Sequence, residues 1–168
     1  MPSLSRKTFF AVFAACAALI AFGLFLQHAR GLEPCPMCII QRYAFVACSL
    51  IALAAGLHNP AGWGSRIYAG VMLLTALGGG SVAARQSWLQ RNPPAVPACG
   101  PDMEFMLDSF PLTQALPMIF KGTGDCAEIK WVFLGLSIPD WALLCFLAIA
   151  AVSIWLVSRP RKAAPTGG

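Results

Sequence analysis

Cys35 and Cys38 stand with two residues between them in the stretch Glu33-Pro34-Cys35-Pro36-Met37-Cys38-Ile39-Ile40-Gln41-Arg42. Two thiols at this spacing close a small, readily exchanged disulfide or hold one edge of a metal site. Pro36 has no N–H and a fixed φ, which suits the first position of a helix. The spacing therefore predicts Cys35 as a helix N-cap and Cys38 in the first turn. Unpaired backbone N–H groups and the positive end of the helix dipole favour a thiolate there. Arg42, four residues after Cys38, falls on the same face one turn deeper. The chemistry that such a stretch carries is thiol redox exchange, given elements that position it.

Those elements are membrane helices. The 168 residues are 58% hydrophobic and only 11% charged, with a mean hydropathy of +0.68, outside the range of an ordinary soluble domain. Four apolar stretches, Thr8–Leu26, Ile39–Leu57, Ile67–Ala84 and Ile138–Val157, approach the roughly 20 residues that cross a bilayer as a helix. The expected fold is an all-α, four-transmembrane-helix bundle forming a single membrane domain over 1–168, with outer loops at about 27–38 and 85–137. The run beginning at Arg6-Lys7 is too long in its apolar core for a signal peptide and lacks a small-x-small cleavage site, so it is expected to stay as the first helix.

Charge orients the bundle. With the N-terminus inside, the inner segments hold Arg6, Lys7, Arg66, Arg159, Arg161 and Lys162, while all seven acids fall outside. Crowding of Lys and Arg into short inner segments places both termini in the cytoplasm. The net charge of +5 is then topological, and without a basic groove or aromatic ladder no nucleic-acid partner is expected. Trp63, Trp88, Trp131, Trp141, Trp155 and Tyr68 fall near the expected helix ends, as interfacial anchors do. Ala76, Gly80 and Ala84 give small-xxx-small spacing for close helix packing. In the Pro-rich loop, Leu112, Leu116, Ile119 and Phe120 recur at helical spacing, read as a short interfacial helix in preference to a small hydrophobic contact.

The seven cysteines divide by location. Cys16, Cys48 and Cys145 fall within helices and read as small core hydrophobes. Cys35, Cys38, Cys99 and Cys126 all fall on the outer, oxidising side, where paired cysteines are expected as disulfides. Taken alone, Cys99 and Cys126 read as a structural staple; beside Cys35 and Cys38 they suggest a thiol–disulfide relay. A zinc site is disfavoured because Cys99 and Cys126 lack knuckle spacing, and no metal is expected. His28 and His58 lie at opposite ends of neighbouring helices and read as interfacial. With no dinucleotide fingerprint or phosphate loop, a lipid-soluble quinone is the remaining electron acceptor. Arg42 near a helix end either snorkels to head groups or stabilises a reduced quinone or a Cys38 thiolate; the adjacent thiols favour the second.

Cys35-Pro-Met-Cys38-x-x-Gln41-Arg42, then Cys99, then Gly124-Asp125-Cys126-Ala127-Glu128-x-x-Trp131-x-Phe133-Leu134-Gly135-Leu136-Ser137-x-Pro139-x-Trp141, resembles the DsbB family from about Phe10 to Val157. The resemblance implies a bacterial inner-membrane protein that reoxidises a periplasmic DsbA-like thiol oxidase and passes electrons to the quinone pool, ubiquinone or menaquinone. It implies disulfides Cys35–Cys38 and Cys99–Cys126 and a role for each cysteine. Cys99 would form the mixed disulfide with the partner, and Cys126 would shift its bond to Cys35. Cys38 would be left as a thiolate in a charge-transfer complex with the quinone, supported by Arg42. Where some relatives carry a histidine near the quinone, this chain has Gln86, expected as a quinone neighbour. Two other readings are a non-enzymatic scaffold stapled by the loop disulfide, and a related oxidase serving a dedicated partner.

Overall fold

A computed structural model describes residues 2–31, 34–60, 62–93, 124–129 and 131–158. Four long helices dominate it: α1 (Pro2–Arg30), α2 (Pro36–His58), α3 (Trp63–Arg91) and α5 (Ile138–Ser158). A four-residue helix, α4 (Gly124–Ala127), and an antiparallel pair, β1 (Val132–Phe133) with β2 (Leu136–Ser137), precede α5. All four long helices are long and apolar enough to span a bilayer, so the chain is a multi-pass all-α membrane bundle. The expected interfacial helix around Leu112–Phe120 and the basic residues Arg159, Arg161 and Lys162 lie outside the described residues.

The helices run past the apolar stretches that announce them. Hydropathy marks only the part of a helix that must sit in hydrocarbon, whereas the backbone keeps its hydrogen bonds by staying helical through the head-group region. At 29 residues α3 rises about 44 Å, the thickness of hydrocarbon plus both head-group layers. This corrects the expected loop boundaries. α1 continues to Arg30 and α2 starts at Pro36, which leaves only residues 31–35 between them, and α3 continues to Arg91 where a loop from residue 85 was expected. That extension carries Gln86 and Ser87, both buried.

Alternating helix direction brings the C-terminal ends of α1 and α3 and the N-terminal ends of α2 and α5 to the same end of the bundle. α3 packs along both α2 and α5, and α1 packs on α2. The central core gathers Phe9, Cys16, Phe45, Cys48, Met72, Ala76 and Phe146. Phe45 and Phe146 stack there with ring centroids 4.1 Å apart and planes 10° apart. Of the expected stripe Ala76 is buried and Ala84 exposed, and the closest approach falls at Gly79, one residue before Gly80. A Cβ on Gly79 would run into the Phe146 ring and come within 2.8 Å of Ala44 Cβ. Tyr43, Leu50, Leu74 and Leu147 point outward, as lipid-facing side chains must.

Local signals at the common end explain how it is tied. Cys35 is the N-cap of α2, with φ −70° and ψ 162°, and proline follows at the start of the helix, as its sequence predicts. Ser137 precedes α5, and Asp140 three residues on accepts from the Ser137 backbone N–H at 3.1 Å and its hydroxyl at 2.7 Å. The bond from the Ser137 N–H to Asp140 is one arm of a capping box, a signal present in Ser137-Ile-Pro-Asp140 and missed in reading the sequence. Asp140 also accepts from Ser87 at 2.5 Å and Arg91 at 2.8 Å, fastening α3 to α5. The β1–β2 turn uses Leu134 (φ 53°) and Gly135 (φ 80°), the two positive φ values of a tight hairpin.

Candidate functional site

The end of the bundle that carries Cys35 opens into a cavity of about 660 Å³. α1 supplies Leu19, Gly23 and Leu26; α2 supplies Cys38, Gln41, Arg42 and Phe45; α3 supplies Gln86 and Gln90. The hairpin and α5 close it with Phe133, Trp141 and Cys145, and Trp131 stands just before β1. The walls are mostly apolar, with aromatic rings on one side. Phe22 meets Trp131 edge-on at 6.1 Å, and Trp131 stacks on Phe133 at 5.7 Å. Trp141 Nε1 donates to the Phe133 carbonyl at 3.1 Å, holding the hairpin against α5.

Into this cavity the structure brings most of the residues singled out from sequence. The Cys35 and Cys38 sulfurs lie 2.9 Å apart as thiols. Gln86 is 2% exposed, and its Nε2 lies 3.2 Å from each of the two sulfurs. Its Oε1 accepts from Gln41 Nε2 at 2.7 Å. Cys126 is 1% exposed and packs with Cys35, Met37, Val82 and Leu89 in a second small core. Hydrogen bonds to the Cys126 and Cys38 thiols, with burial added, push the Cys35 pKa well above the ordinary thiol value. Cys99 lies outside the described residues.

Arg42 borders the cavity but is anchored to α1. Its Nη1 donates to Gln27 Oε1 at 2.6 Å and its Nη2 to the Gly23 carbonyl at 3.0 Å. The guanidinium also lies over Gly23, where an added Cβ would stand 3.5 Å from Arg42 Nε. Sequence reading missed Gln27, whose polar side chain near the end of an apolar helix was the available signal, and Gln90. The Gln90 amide nitrogen donates to the Glu128 carbonyl at 3.4 Å, while its buried Oε1 has no hydrogen-bond partner among the described residues. Cys145, read as core filler, borders the cavity; Cys16 and Cys48 are fully buried in the bundle core, as read. His58 pairs with Tyr68 at 2.6 Å and His28 with the Leu24 carbonyl at 3.0 Å, both exposed. Among the described residues no group of three or more His, Cys, Asp or Glu is placed to hold a metal.

Comparison with known proteins decides the family. The family described as "Disulfide bond formation protein DsbB" matches residues 5–156. The chain belongs to the DsbB family. It is 62% identical over 157 residues to a disulfide bond formation protein B of Azoarcus sp. (strain BH72), covering 94% of this chain and 95% of that protein. It is 59% identical to one of Aromatoleum aromaticum over the same shares of the two chains. A third, from Hahella chejuensis, is 49% identical over 159 residues, covering 94% of this chain and 96% of that protein. DsbB family membership makes this a membrane protein of disulfide bond formation, an oxidoreductase by class.

The donor set also suits a quinone. A flat apolar ring fits between aromatic and aliphatic walls, and its oxygens need polar partners at the edge. Arg42 supplies a cation at the edge, and Gln90 Oε1, without a hydrogen-bond partner among the described residues, is a buried acceptor for a hydroxyl of the reduced ring.

Proposed function

We propose that this protein oxidises the dithiol of a DsbA-like thioredoxin-fold oxidase and delivers the electrons to a membrane quinone. One observation carries the reading: a thiol pair at a helix N-terminus opens onto an apolar cavity bordered by Arg42, with Cys126 packed against the outer thiol. Exchange with a soluble partner needs a reachable cysteine, assigned to Cys99, while electron delivery into lipid needs a fixed thiol, assigned to Cys38.

Partner thiolate attacks the Cys99–Cys126 disulfide, forming a bond to Cys99 and releasing Cys126. The partner's second thiol resolves that bond and leaves oxidised. Cys126 then forms a bond to the Cys35 sulfur; the Cys35–Cys38 bond breaks, and its electron pair leaves on Cys38. Cys126 lies beside Cys35, the sulfur this transfer requires. The Cys99 thiolate, freed when the partner leaves, takes Cys126 back and releases Cys35. Cys35 and Cys38 give up two electrons and two protons as their bond re-forms. A quinone of the pool, ubiquinone or menaquinone, accepts two electrons and two protons per cycle when bound. Arg42, held by Gln27 and Gly23, supplies fixed positive charge at the cavity edge. Gln86, expected as a quinone neighbour, has its amide nitrogen turned to the sulfurs.

The whole chain, 1–168, acts as one membrane domain in the bacterial inner membrane. Arg6 and Arg66 sit at the opposite helix ends from Cys35, which supports cytoplasmic termini and periplasmic thiols. Purified protein in detergent, mixed with a reduced thioredoxin-fold partner and ubiquinone, is expected to consume quinone absorbance catalytically. Absence of catalysed loss overturns the proposal. Cys38→Ser is expected to stop turnover while Cys99 still traps the partner as a mixed disulfide, which a scaffold with a stapled loop does not do.

A further inference from the structure

We propose that Gln86, oriented by Gln41, is a positioning residue that holds both sulfurs of the Cys35/Cys38 pair and compensates the charge on Cys38 when that sulfur is released. The inference rests on the exchange step proposed above, in which Cys38 is the departing sulfur. Both glutamines are buried, Gln41 at 4% and Gln86 at 2% exposure. A primary amide taken out of water in a lipid-embedded bundle is costly unless its donors and acceptor are satisfied. Here the satisfaction has a direction. Gln41 Nε2 donates to Gln86 Oε1 at 2.7 Å, so the oxygen end of Gln86 is committed to Gln41. The NH2 end must then face the other way, and its two N–H groups meet two sulfurs, each at 3.2 Å. The reverse contact, Cys38 Sγ to Gln86 Oε1, is longer at 3.7 Å.

Arg42 does not take this role in the structure, because its guanidinium donates to Gln27 and to the Gly23 carbonyl on α1. The helix N-terminus contributes a general field, but Gln86 is the side-chain amide that touches both sulfurs. When Cys126 bonds to Cys35 and the Cys35–Cys38 bond breaks, the electron pair on Cys38 meets an N–H already in place, and no proton has to move in that step. An amide does not titrate, so this support is the same across the physiological pH range, unlike that of an imidazole. Among the described residues, the titratable or charged groups that border the cavity or pack on the pair are Cys126, Glu128 beyond α4, Arg42 on α2 and Cys145 on α5.

The test reads Cys38 directly, with neither partner nor quinone. Reduced protein in detergent is pulsed with iodoacetamide from about pH 5 to about pH 9, and alkylation at Cys38 and Cys126 is quantified by peptide mass spectrometry. Gln86→Leu is expected to slow Cys38 alkylation near neutral pH by about tenfold relative to Cys126, the worth of one hydrogen bond to a charged sulfur. Gln86→Glu keeps the shape but replaces the donor with a negative acceptor, and is expected to slow Cys38 at least as much. Gln41→Leu, which leaves Gln86 free to turn, is expected to give a smaller loss. Gln86→His is expected to add an inflection near pH ~6.5, where imidazole titrates. Equal slowing of both cysteines indicates a merely structural role and overturns the proposal, as does an unchanged Cys38 curve in Gln86→Glu. If Gln86→Leu does not fold, Gln86→Glu decides. If wild-type protein shows the Cys38 dependence but no catalysed quinone loss, the proposed function fails and the positioning role stands.

Discussion

Arg42 on α2 donates to Gln27 on α1 at 2.6 Å, across the cavity edge and close to the hydrocarbon. A cation at that depth is retained only with partners, and Gln27 and the Gly23 carbonyl are those partners. Gln27→Leu removes the side-chain acceptor and leaves a part-buried guanidinium donor underused, at a cost of about 1–3 kcal/mol. Thermal unfolding in detergent is expected to show that loss, and quinone affinity is expected to fall because the guanidinium is no longer fixed. Wild-type stability in Gln27→Leu would mean that the pairing contributes nothing.

The raised pKa of Cys35 makes the reduced protein sensitive to alkali. An unfolded chain releases the Cys35 proton from about pH 8.5 upward, while the folded chain, with the Cys35 thiol hydrogen-bonded to the Cys126 and Cys38 thiols, keeps it. The folded state then binds more protons than the unfolded one, so stability falls as pH rises. The contribution is fully present below about pH 8.5 and declines above it. Denaturation midpoints of reduced protein, taken against pH, are expected to fall more steeply in wild type than in Cys35→Ser. Parallel curves would rule out the Cys35 contribution.

Much of this architecture was legible because membrane helices write themselves in a few strong signals. Apolar runs located the four spans, and Cys35-Pro36 located the start of α2 to the residue. What the local pattern does not carry is polar and non-local: Gln86 is expected from sequence only as a quinone neighbour, without its partners, and Ser87 is not singled out. Gln86 and Ser87 lie beyond the apolar run of α3, and their burial depends on Gln41 from α2 and Asp140 from α5. Nothing in the local pattern of α3 announces either partner. Likewise the Ala76/Gly80/Ala84 spacing marked a small-residue face but not its register. The register is set by where the Phe45–Phe146 stack sits, and that places Gly79 at the contact. The Cys35–Cys126 proximity joins positions far apart in the chain, and only the family resemblance anticipated it.

Gly79 and its neighbour Gly78 offer a matched pair. A methyl group on Gly79 meets the Phe146 ring and Ala44, whereas one on Gly78 meets nothing within 4 Å. Gly79→Ala is expected to destabilise the bundle by about 1–3 kcal/mol through overpacking. Gly78→Ala is expected to be neutral or to stabilise by up to about 1 kcal/mol, the helix-propensity difference. Thermal denaturation of the two variants side by side tests the register, and equal effects would contradict it.

Gln90 gives a prediction with opposite signs in two states. Among the described residues its buried Oε1 has no partner, and its Nε2 makes a long bond of 3.4 Å to the Glu128 carbonyl. In the quinone-free protein this unmet acceptor carries a desolvation cost of about 1–3 kcal/mol, so Gln90→Leu is expected to raise the unfolding temperature. In the presence of quinone the same oxygen is available to a hydroxyl donor at the cavity wall, and its removal is expected to weaken retention of the reduced quinone by about tenfold. Equilibrium binding of ubiquinol and ubiquinone, measured beside unfolding of stripped protein, separates the effects. A stability gain with unchanged affinity for both would place the Gln90 oxygen outside the binding contact. A loss of affinity for the reduced form alone identifies it as the acceptor of the quinol hydroxyl, because only that form has a proton to donate.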